Sequence, residues 1–137
     1  MVMSELPDTP IFRFGATTHR NVPGKPDKLE ENHVIVIPNI DFNKVTWHQV
    51  VGTWKNLNGT GNNGVLNLYF DGIKVGELEG FDHPLKWNID DWEIRVGLGY
   101  RGKIDDFFIL KSFLSAEAIA EIYHSGKSLG ELLSIGK

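Results

Sequence analysis

Short runs in which apolar and polar residues alternate make up most of this chain, and turn-forming residues separate them. Successive side chains of a strand point to opposite faces, so such alternation marks a half-buried strand. Ile11–Phe14 is a short apolar run behind Pro10, and the polar stretch Thr17–Asn32, with Pro23, Gly24 and Pro26, reads as a loop. His33–Ile37 (HVIVI) is a compact strand that Pro38 stops. Trp47–Trp54 (WHQVVGTW) predicts another strand, with Trp47, Gln49, Val51 and Thr53 on one face and His48, Val50, Gly52 and Trp54 on the other. Asn56–Gly64 (NLNGTGNNG) is too rich in turn residues for a strand or a helix interior.

The sharpest local signal is LNLYFDGIKVGE, in which the runs Leu66–Phe70 and Ile73–Glu77 are separated only by Asp71-Gly72. A two-residue Asp-Gly connection predicts a hairpin with a type I′ turn, which needs positive φ at both central residues. Trp92–Leu98 and Lys103–Leu110 predict a second strand pair across the glycine-rich Gly99–Gly102. Only the end of the chain changes period. Ala116, Ile119, Ala120 and Tyr123 recur at helical spacing behind Ser115, a good N-cap, and Glu117 in the first turn complements the helix dipole. Gly126 is placed to close that helix, and the tail Lys127–Lys137 adds at most one weak turn.

Composition narrows the function classes. A chain of 137 residues, 41% hydrophobic and 23% charged, fits one ordinary globular domain. The net charge of −4 argues against a phosphate-backbone binder, so nucleic acid is not an expected partner. No apolar run approaches the ~18 residues of a membrane span, and Met1–Pro10 has neither the basic start nor the apolar stretch of a signal peptide. The absence of cysteine excludes disulfides and thiolate metal sites without fixing the compartment.

Three segments, in this order, resemble the laminin-G-like (concanavalin A-like) jelly-roll family. Val45–Lys55, VTWHQVVGTWK, resembles its W-H-x-V-x-x-T-W/Y strand, and Leu66–Gly76, LNLYFDGIKVG, its L-x-L-Y-x-D-G-x-x-V hairpin. Arg101–Tyr123, RGKIDDFFILKSFLSAEAIAEIY, resembles its closing G-x-I-D-D…L-S-x-x-E-I segment, with Ala118-Ile119 where the family has Glu-Ile. The resemblance runs from Val45 to Tyr123. Family domains open with further strands, and nothing before Ile11 matches that opening. The chain therefore reads as the C-terminal two-thirds of a domain, a truncated product or a shortened variant.

What the resemblance implies is an all-β fold: an antiparallel jelly-roll β-sandwich, concanavalin A-like, lacking N-terminal strands and carrying one short C-terminal helix. Residues 1–137 then form a single laminin-G-like domain, with 124–137 as its tail. The expected function is a non-catalytic binding or adhesion module of a larger extracellular or cell-surface protein, recognising carbohydrate or a protein surface. The alternatives are a purely structural domain of a surface or fibre protein and a glycoside hydrolase fragment. Missing strands would leave a sheet edge exposed and invite self-association.

The candidate chemistry is sparse. Gly97–Gly102 spells G-x-G-x-x-G, but it leads into an alternating strand-like run and not the helix a dinucleotide site needs. Strand alternation would turn Asp105 to the same side as Phe107 and Ile109, where a carboxylate needs backbone donors, a base or a cation. Asp105 is thus a candidate for backbone hydrogen bonding or for a structural Ca²⁺, which would need six to eight oxygens. Trp87, Asn88, Asp90, Asp91 and Trp92, with His83 nearby, combine indoles with polar groups as sugar sites do; Asn62 and Asn63 are candidate rim residues. The plainer reading makes the tryptophans core or edge residues and the asparagines turn formers. Asn58-Gly-Thr60 is a glycosylation sequon. The five histidines lack metal-ligand spacing, and His48 reads as structural. A glycosidase of this fold class would carry an E-x-D-x-x-E strand; Glu77, Glu79 and Asp82 have the wrong spacing, as do Asp90, Asp91 and Glu93.

Overall fold

The computed structural model of this chain describes residues 11–17, 32–38, 46–82 and 102–134. They form two antiparallel sheets and two short helices. β1 (Ile11–Thr17) pairs with β2 (Asn32–Pro38) from Ile11 opposite Pro38 to Thr17 opposite Asn32. The second sheet has the order β3 (Val50–Lys55), β4 (Gly64–Phe70), β5 (Ile73–Phe81). The β4–β5 turn is the expected one, with φ of 51° at Asp71 and 77° at Gly72.

The core lies between the sheets. Leu66, Leu68 and Phe81 contribute one side and Ile35 the other, with Phe14, Ile37, Leu57, Val75 and Leu78 packed around them. Two glycines let the sheets approach this closely. Gly52, Leu68 and Gly76 stand in one row across the three strands. A Cβ on Gly52 would fall 2.2 Å from the Phe14 ring, and one on Gly76 would fall 2.3 Å from Ile35 Cγ2. Each glycine is therefore a recess that receives a side chain of the other sheet.

The opposite face of the three-stranded sheet is also covered at its centre, where Thr53, Asn67 and Tyr69 are buried. Asn67 Nδ2 donates to Thr53 Oγ1, which gives one of these buried polar groups a partner across the strands.

The C-terminal helix, α1 (Ala116–Ser125), is built as its sequence predicts. Ser115 Oγ accepts the Ala118 N–H, and Gly126, at φ 64°, donates its N–H to Tyr123 O. Its own backbone N–H and the Ser115 hydroxyl hold the Glu117 carboxyl below its usual range. Ile119 is fully buried, and Ala120 and Tyr123 pack against Gly72, joining the helix to the hairpin tip. The tail forms a second helix, α2 (Leu129–Ser134), where a weak turn was expected. Ser128 and Glu131 cap it reciprocally: Glu131 N–H donates to Ser128 Oγ, and Ser128 N–H to Glu131 Oε2.

One expectation fails. Lys103–Leu110 forms no strand. Asp106 takes a φ of 50°, and its N–H donates to Asp105 Oδ1, a local bond that competes with a sheet ladder and breaks the alternation. Asp105 is accordingly exposed, not turned into a core. The other half of the expected pair, 92–98, lies outside the described residues.

Candidate functional site

The densest polar constellation among the described residues sits where the start of β3 meets the β4–β5 turn. At the turn the chain closes a reciprocal pair of bonds: Asp71 N–H donates to Gln49 O at 2.9 Å, and Gln49 N–H donates to Asp71 Oδ1 at 2.9 Å. The second carboxylate oxygen lies 2.8 Å from His48 Nδ1, and the His48 ring stacks on Phe70 with centroids 5.0 Å apart. With Nδ1 donating to Asp71, Nε2 of a neutral ring accepts from the Thr46 hydroxyl at 3.4 Å. Asp71 tolerates its left-handed backbone better than most residues because its short polar side chain bonds locally.

Thr46, His48 and Asp71 stand in the order of a hydroxyl, a base and the acid that orients it. Acyl-transfer chemistry also needs donors for a developing oxyanion. Both backbone N–H groups of this corner, those of Gln49 and Asp71, already have partners within it. The arrangement thus acts as a latch that ties the strand start to the turn.

At the other end of the sheet, the Asn56–Gly64 loop is also tied by an aspartate. Gly61 N–H and Asn62 N–H donate to the two carboxylate oxygens of Asp82, at 3.0 and 2.8 Å. Asn56 Nδ2 donates to Asn63 O at 3.1 Å, and Asn56 and Asn62 both take positive φ. Asn62 and Asn63 are exposed, and their backbones serve the turn. Asn58 of the sequon is exposed in the same loop. Trp87, Asn88, Asp90, Asp91, Trp92 and His83 lie outside the described residues, as does Gly97–Arg101 of the glycine motif. Among the described residues no three His, Cys, Asp or Glu side chains are grouped to hold a metal ion, and Asp105 stands with only the Asp106 N–H on its carboxylate.

An acidic pair, Glu77 and Glu79, lies exposed on β5. Lys74 donates to Glu77, and that bond holds the Glu77 carboxyl below its usual range while raising the Lys74 amine. Hydrogen bonding with Glu77, then its charge, pushes the Glu79 carboxyl up. Carboxyls driven apart in this way are what acid–base pairs use. Here the main causes are a neighbouring lysine and the hydrogen bond between two glutamates whose side chains stand exposed.

The sequence places Asp71 in a turn and His48 in a sheet without joining them, and it presents Asp82 only as a carboxylate with the wrong spacing for a glycosidase. The partners are 23 residues apart in the first case and 20 or 21 in the second. No local pattern encodes such a distance; the only signal was that His48 and Asp71 belong to two segments of one family resemblance. No protein-family profile, curated protein or solved structure matches this chain.

Proposed function

We propose that this chain is a non-catalytic binding or adhesion module, a jelly-roll sandwich of the laminin-G-like type, that recognises carbohydrate or a protein surface as part of a larger extracellular protein. One observation carries the reading. The three segments that resemble that family converge on a single corner: His48 of the first bonds Asp71 of the second, and Ala120 and Tyr123 of the third pack against Gly72. Residues whose only shared property was membership of one sequence pattern make one structural unit. Two sheets packed face to face, with a helix against the hairpin tip, are compatible with such a sandwich.

The test is a glycan array on protein whose folding is verified by circular dichroism. Reproducible binding that Trp87→Ala or Trp92→Ala abolishes supports carbohydrate recognition. A blank array on folded protein moves the assignment to a protein-binding or purely structural domain, and turnover of β-glucans would replace it with a glycosidase. The fold part of the reading is independent of the ligand and stands or falls on an experimental structure.

A further inference from the structure

Trp54 stands where β3 runs into the Asn56–Gly64 loop, and it pairs with Leu66 and, through it, with Leu78 across the sheet. That row lies two residues beyond the Gly52–Leu68–Gly76 row, so Trp54 projects from the same face, toward which Leu57 of the loop also packs. Trp54 is nevertheless 46% exposed, which suits an indole with one face against the protein and the other open. The loop beside it holds amides and a hydroxyl but no charged side chain, and Asn56, Asn58, Thr60, Asn62 and Asn63 are all exposed. Its backbone is fixed by Asp82 on Gly61 and Asn62, by Asn56 Nδ2 on Asn63 O, and by the Asn56–Gly59 turn. Asn63 Oδ1 lies over Gly59, where a Cβ would fall 2.6 Å from it. The two described charges that border the loop are engaged. Lys55 alternates onto the opposite face, where its Nζ sits 5.3 Å from the centre of the Phe113 ring, and both oxygens of Asp82 accept loop N–H groups.

We propose that Trp54 and this loop form a saccharide-binding shelf, which takes a neutral pyranose with its C–H face on the indole and its hydroxyls against the loop amides. The proposal rests on the carbohydrate arm of the function above and gives that function a surface. The chemistry of the shelf selects the ligand. A pyranose has an apolar C–H face and a rim of hydroxyls, so it matches a flat apolar ring bordered by groups that both donate and accept. An apolar helix or strand laid here would strip water from the asparagines without replacing its bonds. An anionic ligand would find Lys55, the cation that borders the loop, on the opposite face of the sheet. A loop already fixed by its own bonds adds little ordering cost on binding. Trp47 is more exposed, at 64%, but it precedes β3 at the end away from this loop. Exposure alone would favour Trp47; the amide rim selects Trp54.

An array of neutral gluco-, manno-, galacto- and xylo-oligosaccharides, with sialylated and sulfated glycans beside them, tests the shelf on the full chain. Titration calorimetry of the best neutral binder then measures each variant, with circular dichroism confirming that it is folded. Binding to neutral glycans is expected, and Trp54→Ala is expected to weaken it about tenfold or more. Asn63→Ala removes an amide but keeps the carbonyl that Asn56 uses, and is expected to weaken binding about tenfold. Trp47→Ala is expected to bind as wild type does. Trp54→Phe keeps an aromatic ring for the fold and is expected to lose the change in tryptophan emission that the sugar causes in wild type. Preference for anionic glycans overturns the proposal, as does Asn63→Ala at wild-type affinity. So does a loss in Trp47→Ala equal to that in Trp54→Ala, or an emission change that persists in Trp54→Phe. Binding kept by Trp54→Ala and lost in Trp87→Ala or Trp92→Ala overturns the shelf and leaves carbohydrate recognition standing. A folded chain that binds no glycan overturns both and leaves protein recognition or a structural role.

Discussion

Removing the Asp71 carboxylate separates the contributions of the latch at the hairpin tip. The carboxylate accepts the Gln49 N–H and faces His48 Nδ1, and the side chains of His48 and Asp71 are 13% and 22% exposed. Hydrogen bonds to a charged group contribute roughly 1.5–3 kcal/mol each when well buried. Partial exposure favours the lower end, so the two together stabilise by about 3 kcal/mol. The backbone adds a separate term, because φ is 51° at this position. An alanine there costs about 1 kcal/mol more than a glycine. The expected order of stability is therefore wild type, Asp71→Asn, Asp71→Gly, Asp71→Ala, with losses of about 1, 3 and 4 kcal/mol. Asparagine ranks high because its oxygen still accepts the Gln49 N–H and its short amide tolerates the left-handed backbone. Urea unfolding followed by tryptophan fluorescence measures each loss, with an unchanged m-value showing that two folded states are being compared. An alanine variant within about 0.5 kcal/mol of wild type would refute the latch. A His48→Ala/Asp71→Ala cycle without coupling would show that the two residues touch but do not cooperate.

The remaining expectations concern other parts of the fold. Gly76→Val should destabilise by about 1–3 kcal/mol in the same assay, because its side chain must enter space held by Ile35 and Ile37. Ser115→Ala should cost about 1 kcal/mol and lower helical circular dichroism, with Ser115→Asp close to wild type. On β5 the two glutamates act in opposite directions with pH. Glu77, held below its ordinary value, contributes stability that is present above that value and lost as acid protonates it. Glu79, pushed up, favours the folded state most when protonated, and that contribution fades as pH rises through its elevated pKa. Carboxyl-carbon NMR should accordingly show Glu79 titrating above Glu77, and Lys74→Met should raise the Glu77 midpoint. Equal midpoints would remove the reading of two hydrogen-bonded glutamates.

The elements legible in the sequence were those whose instructions are local. Asp71-Gly72 needs only two positive φ angles and flanking alternation, and Ser115 and Gly126 cap α1 through neighbours within one turn. The helix of the tail was legible by the same rule and was underrated, since Ser128 and Glu131 already spell the reciprocal cap. Lys103–Leu110 departs from its strand-like pattern because alternation states which residues suit a strand and not the backbone that each one takes. There the Asp105–Asp106 bond and the left-handed Asp106 interrupt the extended backbone.

By itself, then, the chain's sequence determined the hairpin, its turn, the helix caps and the β-rich character, because each is set by φ preferences and periodicity within a few residues. The tertiary structure decided what those elements meet. Gly52 and Gly76 become recesses only once Phe14 and Ile35 lie over them, and Asp71 becomes a latch only when folding brings His48 and Gln49 to it. Asp82 comes to hold the Asn56–Gly64 loop for the same reason. Contacts between residues so far apart along the chain depend on sheet register and packing, which are properties of the whole fold and are written in no single segment.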